Sequence, residues 1–414
     1  MREMKDSGIE WVGAIPQDWQ LSKIGSLYTQ RNEKVSDKDY QPLSVTMQGI
    51  LPQLATAAKT NDGDNRKLVR VGDFAINSRS DRRGSCGISP LDGSVSLINI
   101  ILTPRTAMHP GYYNWLFHTT LFADEFYKWG HGIVADLWTT RWQEMKSITV
   151  PVPKYAEQER IAAFLDAECA EIDAVLEKTR ASIEEYKKLK QAVITQAVTK
   201  GVRGDRPMMD SGIEWIGDIP AEWDVLNLVA HTSMLTPMRD RPENLDGPIP
   251  WVRIEDFEGK YIESSKAGLG VSMKTVKEMN LKVYPVGTIL CTSSCIMGKC
   301  AIVSRELVSN QRFIGIIPDQ TTDKTYLYYL MTSNAERMNF LSTGALQANL
   351  SRSAFEHLKV QFPPYSEQQE IAAYLDDKCE KIDELILKKQ QYLTEIENYK
   401  KSLIYEYVTG KREV

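Results

Sequence analysis

The chain lacks the apolar segments and cysteine patterns that mark membrane, secreted and zinc-binding proteins. Its longest apolar stretches, such as residues 95–102, are too short to span a bilayer. No apolar segment follows the first residues, so no signal peptide is expected and a cytoplasmic location is predicted. The six cysteines are therefore expected to be free thiols, and Cys291, Cys295 and Cys300 do not have the spacing of a zinc site.

Recognisable catalytic motifs are missing as well. Residues 362–365 resemble part of an amino-methyltransferase motif, but Phe362 cannot accept a hydrogen bond from a target amino group. Residues 297–300 imitate the end of a phosphate-binding loop without its leading glycine, and Cys300 replaces the hydroxyl residue that would bind magnesium. The five histidines are scattered along the chain. We therefore predict a non-enzymatic protein with no cofactor and no metal.

The overall charge is acidic, with a formal net charge of -5 at pH 7. This balance does not exclude a nucleic-acid partner, because DNA binding needs only a local basic surface. A hydrophobic content of 42% is that of an ordinary globular protein with buried cores.

What the chain does contain is one pattern that occurs twice. Residues 6–19 return as residues 210–223, and residues 157–166 return as residues 367–376. Each copy therefore consists of a short tag, a variable body and a helix. A duplicated chain of this kind is expected to fold with internal two-fold symmetry.

Both bodies are predicted to be α+β, because short β-type runs alternate with Gly, Pro, Asn and Asp in each of them. The predicted strands are 42–46, 70–77 and 95–103 in the first body and, as their expected counterparts, 249–254, 287–292 and 299–303 in the second. Helical spacing with aromatic residues predicts helices at 112–129 and 324–341.

Two long helices are predicted to follow the bodies, since neither proline nor glycine interrupts the pattern until Gly201 and Gly410. Apolar residues recur at steps of three, four and seven, which predicts a coiled-coil seam of about five heptads and a helix length of about 60 Å. We predict that the helices pair antiparallel with each other, which would bring residues 408–412 close to the first tag. The seam residues are Ile161, Leu165, Ile172, Leu176, Ile183, Ile371, Leu375, Ile382, Ile386 and Leu393.

Polar loops in both bodies are the candidate DNA-binding surface. Arginine can bind guanine or a phosphate through two hydrogen bonds, and Asn and Gln can pair with adenine. For any one residue an ordinary solvated loop is the alternative, whereas the set as a whole favours nucleic-acid contact. The candidates are Asn77, Ser78, Arg79, Arg82, Arg83, Thr140 and Arg141 in the first body and Ser293, Ser294, Lys299, Gln347, Asn349 and Arg352 in the second.

The repeated motifs resemble those of the specificity subunits of type I restriction–modification systems. Each tag reads Ser-Gly-Ile-Glu-Trp-x-Gly-x-Ile-Pro-x-x-Trp, and each helix opens with Tyr-x-Glu-Gln-x-x-Ile-Ala and ends in Val-Thr followed closely by glycine. The resemblance covers essentially the whole chain in the expected order. It implies two α/β target recognition domains joined by two long antiparallel coiled-coil helices in an internal pseudo-two-fold repeat.

The resemblance also implies a function and partners. Each recognition domain, 1–153 and 205–363, would read one half of a bipartite site in double-stranded DNA. The helices, 154–204 and 364–414, would set the spacing and dock two methyltransferase subunits, and restriction translocase–nuclease subunits would join the complex. The subunit itself would be non-catalytic and would need no membrane. A scaffold protein with two protein-binding domains on a coiled-coil rod is the alternative.

Overall fold

A computed structural model describes residues 2–53, 63–132, 138–237, 241–294, 298–341 and 350–414. The chain divides into two compact units. Unit 1 comprises residues 1–180 and 390–414, and unit 2 comprises residues 181–389. Each unit therefore contains one body together with a part of each long helix.

Unit 1 holds the first body, the first part of one long helix and the last part of the other. Its strands are β1 (Met4–Asp6), β2 (Ala14–Pro16), β3 (Gln20–Lys23), β4 (Tyr28–Arg31), β5 (Lys34–Val35), β6 (Leu43–Thr46), β7 (Gly49–Pro52), β8 (Arg66–Val69), β9 (Phe74–Asn77), β10 (Cys86–Ile88), β11 (Gly93–Val95), β12 (Asn99–Pro104) and β13 (Thr149–Val152). Its helices are α1 (Ile24–Leu27), α2 (Pro110–Phe117), α3 (Thr120–Lys128), α4 (Trp142–Met145) and the first part of α5 (Tyr155–Lys200).

Unit 2 holds the second body and the remaining parts of the long helices. Its strands are β14 (Met208–Asp210), β15 (Asp218–Pro220), β16 (Asp224–Asn227), β17 (Thr232–Leu235), β18 (Ile249–Val252), β19 (Tyr261–Ile262), β20 (Gly270–Val271), β21 (Ile289–Thr292), β22 (Cys300–Val303), β23 (Val308–Ser309), β24 (Phe313–Pro318) and β25 (Lys359–Phe362). Its helices are α6 (Met273–Glu278), α7 (Lys324–Ser333), α8 (Ala335–Leu341), α9 (Arg352–Glu356) and the first part of α10 (Tyr365–Val408).

The main sheet of unit 1 is antiparallel in the order β10-β9-β12-β4. Strand β9 is buried along its whole length, which explains its unbroken Phe-Ala-Ile-Asn sequence instead of an alternating one. The aromatic residues of α2 and α3 pack on this sheet, and the rings of Phe74 and Phe117 lie 4.4 Å apart. A second sheet has the order β11-β8-β5.

The main sheet of unit 2 has the order β17-β24-β21-β22-β19, with β19 and β22 parallel and the other neighbours antiparallel. A three-stranded sheet, β20-β18-β23, lies in the same unit and pairs β18 with β23 in parallel. In both units a two-stranded ladder joins the strand after the tag to the strand before the long helix, β3 with β13 and β16 with β25.

The predicted strands are found, but one expected correspondence is wrong. Residues 95–103 include most of β12, and its place in the sheet is taken in unit 2 by β24 and not by the expected segment 299–303. That segment forms β22, which occupies the place of β10. The position of a strand in the sheet depends on its pairing with distant strands, so similarity between local sequences does not predict it.

The single helices predicted at 112–129 and 324–341 are each two short helices. In unit 1 the break falls at Thr119, whose hydroxyl oxygen accepts a hydrogen bond from the Phe122 amide at 3.2 Å and so starts α3. In unit 2 the break falls at Asn334. A capping residue inside an apolar pattern therefore divides the predicted helix.

The long helices run in opposite directions within each unit. In unit 1 the Lys400 ammonium contacts Asp173 at 2.6 Å, and Arg180 contacts Glu397 at 2.6 Å. In unit 2 Lys190 contacts Asp383 at 2.6 Å.

Left-handed glycines follow the ends of both helices, Gly201 with φ 74° after α5 and Gly410 with φ 70° after α10. The expected contact of residues 408–412 with the first tag is present, since the Lys411 ammonium donates to the Val12 carbonyl at 2.6 Å. Across the described ranges of the chain, no helix has the length and apolar character needed to cross a membrane.

Candidate nucleic-acid interface

A buried junction attaches the tag of unit 1 to the start of α5. Trp19 is 1% exposed, and its indole nitrogen donates to the Glu157 carboxylate at 2.9 Å. Arg2 pairs with both Glu157 and Asp18, and its guanidinium lies 5.7 Å from the Trp19 ring centre. Burial raises the cost of leaving the carboxylate unpaired, so these contacts hold the tag and helix together.

The tag of unit 2 meets α10 in the same way. The indole nitrogen of Trp223 donates to the fully buried Glu367 carboxylate at 3.1 Å. Arg206 pairs with Glu367 at 2.5 Å and with Glu222 at 2.9 Å, and it lies 5.3 Å from the Trp223 ring centre. The two junctions thus use the same residue types for the same contacts.

A glutamine next to each junction glutamate orients the body on its helix. The Gln158 amide nitrogen donates to the Pro153 carbonyl at 2.8 Å, and its oxygen accepts from the His109 amide at 2.9 Å. Gln368 donates to the Pro363 carbonyl at 2.9 Å and accepts from the Asp323 amide at 2.8 Å. The repeated Glu-Gln pair therefore serves the attachment of the body and not the candidate interface.

In unit 1 the first predicted binding residues are buried. Asn77 and Ser78 are each 6% exposed. The Asn77 side-chain oxygen accepts from the Arg79 amide at 3.0 Å, and the Ser78 hydroxyl donates to the Ile98 carbonyl at 2.5 Å. These two side chains fold the loop after β9 and present the residues that follow.

Arg79, Arg82 and Arg83 lie on the exposed part of this loop. Arg82 lies 3.7 Å from Asp81, and Arg83 pairs with Asp124. Exposed pairs of this kind contribute little to stability, so the guanidinium groups can exchange carboxylate for phosphate at low cost. Their role in DNA binding stays a prediction.

The segment before α4 packs beside the same loop. Thr140 is fully buried, its amide donates to the Ser78 carbonyl at 3.0 Å, and its hydroxyl donates to the Phe126 carbonyl at 2.8 Å. Arg141 is exposed at the start of α4. The structure therefore brings the two predicted segments of unit 1 together.

The predicted loops of unit 2 meet through an equivalent contact. Ser293 and Ser294 are 8% and 7% exposed, and the Leu350 amide donates to the Ser293 carbonyl at 2.9 Å. Lys299 is exposed, with its ammonium 5.9 Å from the Phe257 ring centre.

Arg352 of unit 2 is exposed on α9 and donates to Glu356 at 2.7 Å. The two other candidates of this segment, Gln347 and Asn349, lie outside the described residues.

Further polar residues of unit 2 lie beside Ser293 and were not predicted. The Ser293 amide donates to the Arg312 carbonyl at 2.8 Å. The run Asn310-Gln311-Arg312 combines the side-chain types that pair with bases and phosphates, and this composition is the signal that could have found it. Arg241 and Arg253 line the same cavity, and no local sequence pattern connects them to that run.

The ten predicted seam residues are all buried or half-buried. The ring of Phe164 lies 4.4 Å from that of Tyr407, so α5 and α10 also contact each other through aromatic side chains in unit 1. Several seam residues pack into the cores of the bodies as well, namely Ile161, Leu165 and Ile172 in unit 1 and Ile371 and Leu375 in unit 2.

The cysteines in the described residues are buried free thiols. Burial raises the pKa of Cys169 to about 11 and the pKa of Cys379 above its ordinary value, so both stay protonated and pack as small apolar groups. No cluster of His, Cys, Asp or Glu suited to a metal ion occurs among the residues that the structure describes.

Comparison with known proteins gives a consistent result. A family model described as the type I restriction modification DNA specificity domain matches residues 224–398. The type I restriction enzyme MjaIX specificity subunit of Methanocaldococcus jannaschii is 36% identical over 176 residues, which are 40% of each chain. The match thus spans less than half the length of this relative.

Two further similarities extend over nearly the whole chain. The MjaVIII specificity subunit of the same organism is 22% identical over 97% of this chain and 94% of its own. A chain from a structure that describes complex assembly and conformational transition of a type I restriction–modification system has a TM-score of 0.75 at 13% identity. That likeness covers 96% of this chain and 99% of the other, and it concerns the fold. Residues 224–398 thus match the family of type I restriction modification DNA specificity domains, and nearly the whole chain is similar to specificity subunits of type I restriction–modification systems.

Proposed function

We propose that this chain is the DNA specificity subunit of a type I restriction–modification complex. Residues 1–153 and 205–363 would be target recognition domains, each reading one half of a bipartite site in double-stranded DNA. The observation that carries this proposal is the occurrence of the same tag–helix junction in both units, whose loops differ in sequence. A fixed attachment with variable loops suits a protein that reads two different half-sites.

The long helices would have two tasks in the proposed complex. As an antiparallel coiled coil in a pseudo-two-fold repeat, residues 154–204 and 364–414 would set the distance between the half-sites. They would also dock two methyltransferase subunits, and restriction subunits would join them. Methyl transfer and DNA cleavage would be carried out by these partners, and this subunit would be non-catalytic.

Methylation mapping by long-read sequencing tests the function directly. Cells that express this chain with its cognate methyltransferase subunit should show a bipartite motif with one modified adenine in each half. The motif should vanish when the gene for this chain is deleted. A verified complex with an active methyltransferase but no motif that depends on this chain would instead favour the scaffold function.

Matched insertions test the spacing role of the helices. Seven residues inserted in both helices keep the heptad register and add about 10 Å, which is about three base pairs of DNA. The methylated motif should keep both half-sites and gain a spacer of about three base pairs. Alanine substitutions at exposed positions beside the insertion points serve as the control and should leave the spacer unchanged. An unchanged spacer in the insertion variant would contradict the role.

A further inference from the structure

A concave basic pocket lies in unit 2 at the end of strands β18 and β23. Its volume is about 330 Å³, and its lining includes Arg241, Trp251, Arg253, Asn310, Gln311 and Arg312. We call these six residues the arginine pocket. It lies next to Ser293, through the hydrogen bond between the Ser293 amide and the Arg312 carbonyl.

Strand pairing assembles this pocket from distant parts of the chain. In the parallel ladder of β18 and β23, Val252 lies opposite Ser309. The residues that follow these two, Arg253 and Asn310, therefore leave the sheet at the same edge. Phe313 then begins β24, so the chain between β23 and β24 is short and Arg312 stays at this edge.

Local hydrogen bonds hold the backbone of both segments. The Asn310 side-chain oxygen accepts from the Arg312 amide at 3.0 Å, which closes a tight polar turn. The Arg253 amide donates to the buried Asp256 carboxylate at 2.6 Å. The backbone at Arg253 and Arg312 is thus fixed by hydrogen bonds to nearby side chains.

Among the described residues, the charges of the arginine pocket are not balanced. Arg253 lies 3.1 Å from Glu255, and Arg241 lies 5.6 Å from the ring centre of the buried Trp251. Within the described part of unit 2, neither Arg241 nor Arg312 forms an ion pair. The described lining contains three guanidinium groups and one carboxylate, Glu255, so positive charge exceeds negative charge by two among these residues. In addition, the buried Arg253 Nε has no hydrogen-bond partner among the described residues.

An anion with several acceptor oxygens would satisfy these groups. Guanidinium groups bind phosphate through paired hydrogen bonds, and the amides of Asn310 and Gln311 can donate to the same oxygens. The concave shape of the pocket favours a phosphate over a base edge as the ligand. Phosphates project from a duplex and can enter a cavity, whereas base edges lie inside a groove and are read by a projecting element.

We propose that the arginine pocket binds a backbone phosphate of the DNA at the half-site read by unit 2. This inference rests on the proposed function, since it names the part of the DNA that this surface contacts. A phosphate held here would place the loop of Ser293 and Lys299 in register with the bases.

In unit 1 the equivalent run is Ser96-Leu97-Ile98, directly before β12, and these three described residues carry no charge. There the Ser78 amide donates to the carbonyl of Ile98, as the Ser293 amide does to that of Arg312. The arginines of unit 1 instead lie on the loop after β9. The described residues of the two units therefore differ in where their arginines lie relative to this shared hydrogen bond.

The test uses the complex of the full chain with its methyltransferase partner and a duplex carrying the mapped motif. Arg312→Ala should weaken binding about tenfold, as expected when a hydrogen-bonded charge contact is removed. The loss should be equal for the motif and for duplexes changed at single base pairs. The slope of log K against log salt concentration should become about 0.9 less steep.

Three variants sharpen the test. Arg312→Lys keeps the charge and should keep the salt slope, while Arg241→Ala should act like Arg312→Ala. Arg305→Ala removes an exposed arginine of unit 2 outside the pocket and should change neither affinity nor slope. Thermal unfolding of each variant verifies that the fold is retained.

The outcomes separate the inference from the function on which it rests. A parent complex that binds a bipartite motif, with unchanged affinity and salt slope in both alanine variants, would overturn the inference alone. A loss confined to one base pair would also overturn it, because the pocket would then read a base. A parent complex without sequence-specific binding would overturn the proposed function itself.

Discussion

Trp11 and Trp215 occupy the same place in the two tags but have different surroundings. Trp11 is 6% exposed and meets the edge of Phe122, with ring centres 5.9 Å apart. Trp215 is 41% exposed, and the guanidinium of Arg337 lies 3.8 Å from its ring centre. Phe122 and Arg337 each stand three residues after the break between two short helices. The same tag thus borders an apolar core in one unit and a charged surface in the other.

The second tryptophan of each tag shows no such difference. Trp19 and Trp223 are both 1% exposed, and each donates to a glutamate at the start of a long helix. The contact between the tag and its long helix is therefore the same in both units. The contact between the tag and its body differs, because the two bodies present different side chains. This contrast separates an attachment common to both units from the contacts that differ between them.

The largest expected effect comes from removing the common attachment. Trp19→Ala and Trp223→Ala should each lower the free energy of unfolding of their own unit by about 3–5 kcal/mol, because each deletes a fully buried indole. Denaturant unfolding with a separate transition for each unit measures both losses. Trp129→Ala, at an exposed position of unit 1, is the control and should cost less than about 1 kcal/mol. Costs at Trp19 and Trp223 that differ by more than about 2 kcal/mol would show that the two junctions are not equivalent.

The first tryptophan of each tag should give unequal effects. We expect Trp11→Ala to cost about 3 kcal/mol and Trp215→Ala about 1 kcal/mol, because the latter removes only a half-exposed cation–π interaction. The same unfolding experiment compares them. Arg337→Met retains the aliphatic length without the charge and should reproduce most of the smaller loss. Equal losses of unfolding free energy in Trp11→Ala and Trp215→Ala would contradict this prediction.

Removing the exposed arginines of unit 1 should impair DNA recognition at one half-site only. Replacing Arg79, Arg82 and Arg83 together by alanine should weaken recognition of one half-site by about 1–3 kcal/mol for each base that the loop no longer binds. Competition with duplexes altered in either half-site measures this effect. Recognition of the other half-site should be unchanged, and Arg70→Ala should serve as a neutral control in unit 1. An unaltered preference at both half-sites would remove this loop from the interface.

The smallest effect concerns pH and is confined to unit 1. Burial lowers the pKa of the His118 imidazole below its ordinary value of 6.5, although the hydrogen bond to the Asn114 carbonyl at 2.7 Å opposes this shift. The unfolded chain then binds more protons than the fold, so the stability of unit 1 should decrease as pH falls through 6.5. Thermal unfolding between about pH 5 and pH 7 measures the slope. His118→Asn should flatten it, and an unchanged slope in this variant would assign the effect to other groups.

Prediction from sequence succeeded where a pattern is local. The long helices were predicted because apolar spacing and the absence of proline and glycine act within a few turns. The helix ends were predicted from Gly201 and Gly410, because a glycine that ends a helix is also a local signal. The polar loop at Arg79 was also located correctly on the surface, although Asn77 and Ser78 beside it are buried.

Other features depended on contacts between distant segments. The buried Glu157 and Glu367 were recognised as part of a repeated motif, but their pairing with Trp19 and Trp223 was not predicted. A tag and a helix separated by a whole body meet only when that body folds. The contact is then fixed by burial, which the sequence of neither segment reveals.

The amino-acid sequence by itself determined the repeated motifs, the length of the helices and the family resemblance, because each is encoded by residues close together in the chain. Only the tertiary structure decided whether Trp11 or Trp215 is buried and which distant arginines come together. Arg253 and Arg312 come together through the parallel pairing of β18 with β23 and the register of β24. The register of distant strands depends on the packing of the whole unit, so no local pattern specifies it.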